Sequence, residues 1–179
     1  MDITEKRLSR REIYRGRVLN MFVDTVRLPN GKEAERELCE HIGAVAIVAV
    51  TDDGRVVMEK QYRHPHERIF LEIPAGKLDS KNEDHLLAAK RELREETGAV
   101  ADEMIYIGEI DTTPALMDER IFLYLAKGLR FGERELDEDE FIEVELIPIE
   151  ELVGMVMSGE IKDAKSAIGI LKAARILGI

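Results

Sequence analysis

The chain holds one cysteine, Cys39, and no tryptophan. A lone cysteine excludes an internal disulfide and suits a reducing compartment. Positive charge is also scarce: 26 Lys and Arg stand against 37 Asp and Glu, for a net charge of −11. That balance argues against a nucleic-acid surface or an anionic membrane as partner. No apolar run approaches the ~20 residues of a membrane-crossing helix. The opening Met1-Asp2-Ile3-Thr4-Glu5 lacks the apolar core of a secretory signal. The expectation is a cytoplasmic protein. Prolines number five, and neither repeats nor low-complexity linkers occur. What is present is a globular composition, 45% hydrophobic and 35% charged over 179 residues, enough for a real core. An anionic substrate would have to be drawn in by local cations and metal.

The most informative stretch is residues 75–99. It opens on the turn Ala75-Gly76 and closes on Gly98. Between them lie good helix formers and no proline. Ser80, Asn82 and Asp84 are candidate N-caps, and Gly98 is a C-terminal stop. Leu86, Ala89 and Leu93 share one apolar face. Glu92, Glu95 and Glu96 share another. Like charges at this spacing destabilise a helix by roughly 0.2–0.5 kcal/mol per pair. Acids at a helix C-terminus also oppose its dipole. Arg91 and Arg94 offset part of this. A bound divalent cation would convert the repulsion into coordination, and oxygen ligands on a rigid helix suit Mg²⁺ or Mn²⁺. The plain alternative is a solvated acidic face.

Along the chain, residues 11–28 alternate and read as two short strands broken near Asn20. Leu28-Pro29-Asn30-Gly31-Lys32 reads as a hairpin turn, leading into a polar strand over 33–41. So small a sheet rarely stands alone, which leads to the expectation of a second subunit packed on it. Residues 43–50 form an apolar run typical of a buried central strand. Strands are expected at 55–63, 70–74, 104–110, 120–126 and 141–147, with a long acidic loop over 128–140. Helices are expected near 148–157 and 162–177. Strands interleaved with three helices imply an α/β protein, an α/β/α sandwich with a mixed β-sheet plus N-terminal antiparallel strands. The division read from the sequence is an N-terminal strand region, 1–41, and a main domain, 42–179.

Gly76, Glu83 and Arg91-Glu92-Leu93-x-Glu95-Glu96-x-Gly98 resemble the Nudix box, G-x5-E-x7-R-E-U-x-E-E-x-G-U, where U is a bulky aliphatic. Two departures occur: the spacer from Gly76 to Glu83 holds six residues, 77–82, and the last position is Ala99. Beyond the box, Lys60-Gln61-Tyr62-Arg63, Leu71-Glu72-Ile73-Pro74-Ala75-Gly76-Lys77, Asp137-Glu138-Asp139-Glu140 and Gly159-Glu160-Ile161-Lys162-Asp163-Ala164-Lys165 look like the ADP-ribose pyrophosphatase branch of that family. Pro114, sixteen positions past Gly98, fits the branch, with Thr113-Pro114-Ala115 where Ser-Pro-Gly is usual.

The resemblance implies Mg²⁺-dependent hydrolysis of ADP-ribose to AMP and ribose 5-phosphate. It implies metal ligands at Glu92, Glu95, Glu96 and the Ala75 carbonyl, with Mn²⁺ as a substitute ion. Glu83 and Arg91 read as a structural ion pair. Glu140, with Glu138 as the alternative, would be the general base. Arg63 would clamp the diphosphate. Arg27, Glu72, Glu119 and Phe22 are further candidates for substrate contact. A homodimer in which the N-terminal strands complete the partner's site is also implied. The rivals are another nucleoside-diphosphate sugar, such as GDP-mannose or UDP-glucose, and an ADP-ribose sensor without turnover.

Overall fold

A computed structural model describes every residue of the chain except Asp137 and Asp139. The chain divides into two compact units: Met1–Gly43 with Asp111–Arg120, and Ala44–Ile110 with Ile121–Ile179. Residues 111–120 thus join the N-terminal unit, although the sequence reading placed them in the main domain.

The first unit is a three-stranded antiparallel sheet of β1 (Lys6–Arg15), β2 (Asn20–Arg27) and β3 (Glu33–Glu40). The break near Asn20 and the Asn30-Gly31 hairpin fall where the sequence put them. Gly31 takes a positive φ of 82°, which a glycine adopts without strain. The register pairs Arg27 with Glu33 across the hairpin. Arg10 on β1 forks onto Asp24 (2.7 and 2.8 Å) and lies over the Phe22 ring at 4.6 Å. Every residue of β1 is exposed.

The second unit is built on β4 (Ala44–Ala49), in which all six residues are buried. It pairs parallel with β9 (Arg120–Phe131) and antiparallel with β7 (Ala75–Lys77). The resulting sheet runs β7-β4-β9-β8, with β8 spanning Ala99–Asp111. A second sheet runs β10 (Ile142–Pro148), β5 (Arg55–Arg63), β6 (Arg68–Glu72). Alternation along β4 assigns its two faces to different helices. Val45, Ile47 and Ala49 pack in one cluster with Ala88, Ala89 and Leu93 of α1 (His85–Thr97). Ala46, Val48 and Val50 pack in another with Ile149 and Leu152 of α2 (Ile149–Ser158) and Ile170 and Ala173 of α3 (Ala164–Leu177). Helices cover both faces, so the expected α/β/α sandwich with a mixed sheet is what forms. Each fully buried aliphatic side chain contributes roughly 1.5–3 kcal/mol.

Several element ends differ from expectation: β1 begins at Lys6 rather than 11, β6 spans Arg68–Glu72 rather than 70–74, and the Ala75-Gly76 turn carries the short strand β7. β9 continues to Phe131, so the segment read as loop from 128 begins four residues later. β8 starts at Ala99, directly after the helix stop, rather than at 104.

Candidate active site

Helix α1 is placed by its ends. Of the three candidate caps, Asp84 is used: its carboxylate accepts from the amides of Leu86 (2.8 Å) and Leu87 (3.1 Å). Gly98 closes the helix with φ 72°, and its N–H donates to the Arg94 carbonyl at 2.8 Å. A Cβ at Gly98 would also meet the Gly132 carbonyl oxygen at 2.4 Å. Two free carbonyls at this end find donors in the segment after β9. Glu95 accepts from the Glu135 amide (3.0 Å), and Glu96 from Arg134 Nε (2.7 Å).

The box acids are not a solvated face. Glu92 and Glu96 are buried on the same side as Leu93, at 9% and 4% exposure, and Glu95 is half-buried. Glu96 Oε2 accepts from the Ala75 N–H at 2.9 Å, which ties the helix to the turn before β7. Gly76 is required there for room. A Cβ would stand 2.0–2.3 Å from the Glu92 carboxyl atoms. Arg91 Nη1 donates to Glu92 (2.7 Å) and Glu95 (3.3 Å), and Nη2 reaches Glu83 at 3.4 Å. The expected Glu83–Arg91 ion pair is therefore present. Glu83 also accepts from the Asp79 amide at 2.6 Å, closing the six-residue spacer into a turn.

Burial, then the like charges of Glu59 and Glu92, push the Glu96 carboxyl well above the usual range, against the opposing Ala75 N–H. Burial likewise raises Glu92, with Arg91 opposing and Glu95 and Glu140 adding. Glu140 thus acts electrostatically on both buried acids. Glu138 is exposed, and its neighbours Asp137 and Asp139 lie outside the described residues.

A second cluster adjoins the turn. Glu72, 3% exposed, receives Arg63 Nε (2.8 Å) and Nη2 (2.7 Å), together with Lys165 Nζ. Burial alone would raise Glu72; Arg63 and Lys165 outweigh it and hold the carboxyl below the usual range. Ser166 Oγ accepts from the Ile73 amide at 2.9 Å, so the start of α3 fixes the strand entering the turn. Glu59 on β5 is 3% exposed, and its Oε1 has no hydrogen-bond partner among the described residues. Burial raises its pKa, with Arg134 opposing and Glu72 adding.

The remaining candidates lie in the first unit. Arg27 is exposed and pairs with Glu33 at 3.2 Å. Phe22 is half-buried under Arg10. Glu119 is half-buried and accepts from Thr112 Oγ1 at 2.7 Å. Sequence reasoning missed Glu59, Lys165 and Ser166 as parts of the second unit's charged centre. No local signal marks Glu59, because β5 also carries Arg55, Lys60, Gln61 and Arg63. A cavity of about 520 Å³ elsewhere in this unit, lined by Lys60, Leu71, Ile147, Met155 and Ile161 among others, contains none of the box acids.

The donor set fits a hard divalent cation. All candidate side-chain ligands are carboxylate oxygens, two of them buried, and a further buried acid, Glu59, has an unpaired oxygen. Among the described residues, no three His, Cys, Asp or Glu side chains are close enough to enclose an ion. Arg91 stands on Glu92 and Glu95 in this conformation. Mg²⁺ retains several waters and needs only one or two carboxylates.

Comparison with known proteins identifies the family. Residues 40–167 match the NUDIX domain model, and residues 5–38 match the model of a nucleoside diphosphate sugar hydrolase N-terminal domain. The chain is 45% identical over 170 residues to an ADP-ribose pyrophosphatase of Bacillus subtilis (strain 168), covering 94% of this chain and 91% of that one. It is 42% identical over 168 residues to a methanol dehydrogenase activator of Bacillus methanolicus, covering 93% and 90%. A crystal structure of an ADP compounds hydrolase superposes with a TM-score of 0.87 at 20% identity, over 99% of this chain and 97% of that one, a likeness of fold. The chain belongs to the NUDIX family, as a hydrolase of the kind that generally uses divalent metals.

Proposed function

We propose that the protein hydrolyses the diphosphate of ADP-ribose to AMP and ribose 5-phosphate, with Mg²⁺ as its metal. The observation that carries this reading is the burial of Glu92 and Glu96 against the Ala75-Gly76 turn, where their charges repel. The 45% identical relative supplies the substrate. Glu92, Glu95, Glu96 and the Ala75 carbonyl would hold the ion. When bound, it screens the phosphate charge and lowers the pKa of a coordinated water.

The chain's own residues do the rest. Water adds to one phosphorus, and the bridging oxygen leaves with the other phosphate. Glu140 takes the water's proton, with Glu138 as the alternative base. Arg63, held in place by Glu72, presents its guanidinium to the phosphate oxygens. Arg27, Phe22 and Glu119 are the substrate contacts carried over from the family resemblance. The fully exposed ten-residue β1 edge supports a homodimer. The single cysteine supports a reducing, cytoplasmic setting. No described helix is long and apolar enough to cross a membrane.

A second reading, another nucleoside-diphosphate sugar as substrate, is favoured by the N-terminal family model over residues 5–38. Product analysis on ADP-ribose, GDP-mannose and UDP-glucose, with and without Mg²⁺, separates the two. AMP and ribose 5-phosphate in equal amounts, only with metal, are expected. Tight ADP-ribose binding without products would instead make the protein a sensor.

A further inference from the structure

Strand β5 carries an acid in an unusual place. Val56, Val57 and Met58 are completely buried, and Glu59 follows at 3% exposure. The register sets Glu59 opposite Glu72 on β6 and Val144 on β10. Glu59 Oε1 is sealed from solvent and has no hydrogen-bond partner among the described residues. A buried acceptor without a donor is costly, and a buried carboxylate more so unless paired.

The nearby cations are committed elsewhere. Arg63 and Lys165 bond to Glu72, and Arg134 bonds to the carbonyls of Glu96 and Ile142. They attract Glu59 through space without bonding to it. The carboxyl instead acts on Glu96, the most buried acid of the box, by direct repulsion. Glu72, opposite Glu59, lies three residues before Ala75, whose N–H bonds Glu96, so the segment entering β7 brings the two buried acids to the same place, one of them with a spare oxygen.

We propose that Glu59 supplies a carboxylate oxygen to a divalent cation held with Glu96, adding a side-chain ligand from β5 to the α1 carboxylates and the Ala75 carbonyl. The assignment rests on the reading of the box as a metal site. It differs from that reading in naming a residue outside the box, on a different element. A ligand from β5 would tie the ion to the β10-β5-β6 sheet, in addition to the helix and the β7-β4-β9-β8 sheet.

The test is Mn²⁺ binding to metal-stripped protein, followed by the electron paramagnetic resonance of free Mn²⁺, with metal-free melting measured in parallel. Glu59→Gln keeps the shape, and its amide can donate to Glu96, so the variant is expected to fold. It should weaken Mn²⁺ binding at least ~10-fold, at the lower end of what even an outer-sphere partner costs. Its metal-free Tm should rise, because a buried repulsion is gone. Glu59→Asp keeps the charge but withdraws the oxygens by one methylene, and should fall between. Wild-type Mn²⁺ affinity in Glu59→Gln, with Glu96→Gln weakened, overturns the assignment and leaves the box reading intact. A lower metal-free Tm with unchanged affinity overturns it too, by making Glu59 a structural group. Unchanged affinity in both Glu59→Gln and Glu96→Gln removes the box reading as well.

Discussion

Replacing Gly76 by alanine is expected to remove catalysis while leaving the fold standing. Gly76 is not in the positive-φ region, so alanine meets no backbone strain there. The conflict is with one side chain. The new methyl would lie 2.0 Å from Glu92 Cδ and 2.1 Å from its Oε2, where ordinary contact begins at 3.4 Å. The Glu92 carboxyl must therefore move by about 1.4 Å, the difference between 3.4 and 2.0. Misplacement of a catalytic group by ~1 Å costs on the order of 100-fold in rate. The accompanying overpacking costs about 1–3 kcal/mol, within what a folded domain tolerates. Glu92 sits at the end of a flexible side chain on an otherwise anchored helix, so the cost should fall at the lower end. The assay is AMP release from ADP-ribose at saturating Mg²⁺, with circular dichroism to confirm folding. A rate within ~3-fold of wild type would refute the reasoning, because it would show that Glu92 need not occupy its observed position.

Three further outcomes follow from the same geometry. Metal-free protein should lose stability as pH rises from the ordinary glutamate value of 4.5, because Glu59 and Glu96 are raised in the fold and the folded state binds more protons than the unfolded. Melting in EDTA across pH 5 to 8 should show Tm falling by about 2–4 °C per kcal/mol lost, with Mg²⁺ flattening the curve; a Tm that rises with pH contradicts it. Glu72→Gln leaves Arg63 and Lys165 without their buried carboxylate and should cost ~3–5 kcal/mol by urea unfolding; a loss under ~1 kcal/mol would make the cluster a surface pair in effect. Glu140→Gln should lower kcat with KM little changed, and unchanged kcat would move the base to Glu138.

The legible parts of the fold were those written in local pattern. Asn30-Gly31 marks its hairpin, Ala44–Ala49 reads as a buried strand, and Asp84 with Gly98 brackets the box helix, because each signal lies within a few residues of its effect. β9 past Ala126 was not legible. Lys127-Gly128-Leu129-Arg130-Phe131 is charged and carries a positive-φ glycine, so it reads as a turn, yet the strand continues through it. The spacing of Glu92, Glu95 and Glu96 gave a shared face but not the burial of two of them, which depends on the Ala75-Gly76 turn arriving against that face. Lys165 and Glu72 are 93 residues apart, and nothing local to either announces the pair. Glu59 stands in a strand that also carries Lys60, Gln61 and Arg63, so nothing local announces its burial.

The most direct measurement is ADP-ribose turnover by EDTA-stripped protein titrated with Mg²⁺, comparing wild type with Glu96→Gln. Activity should be absent without metal, return with Mg²⁺ in the wild type, and stay more than ~100-fold lower in the variant, beyond the 10–100-fold typical of outer-shell changes. Full turnover in EDTA, or a Glu96→Gln enzyme as fast as wild type, would contradict the claim that the buried acids of α1 serve a cation at the diphosphate.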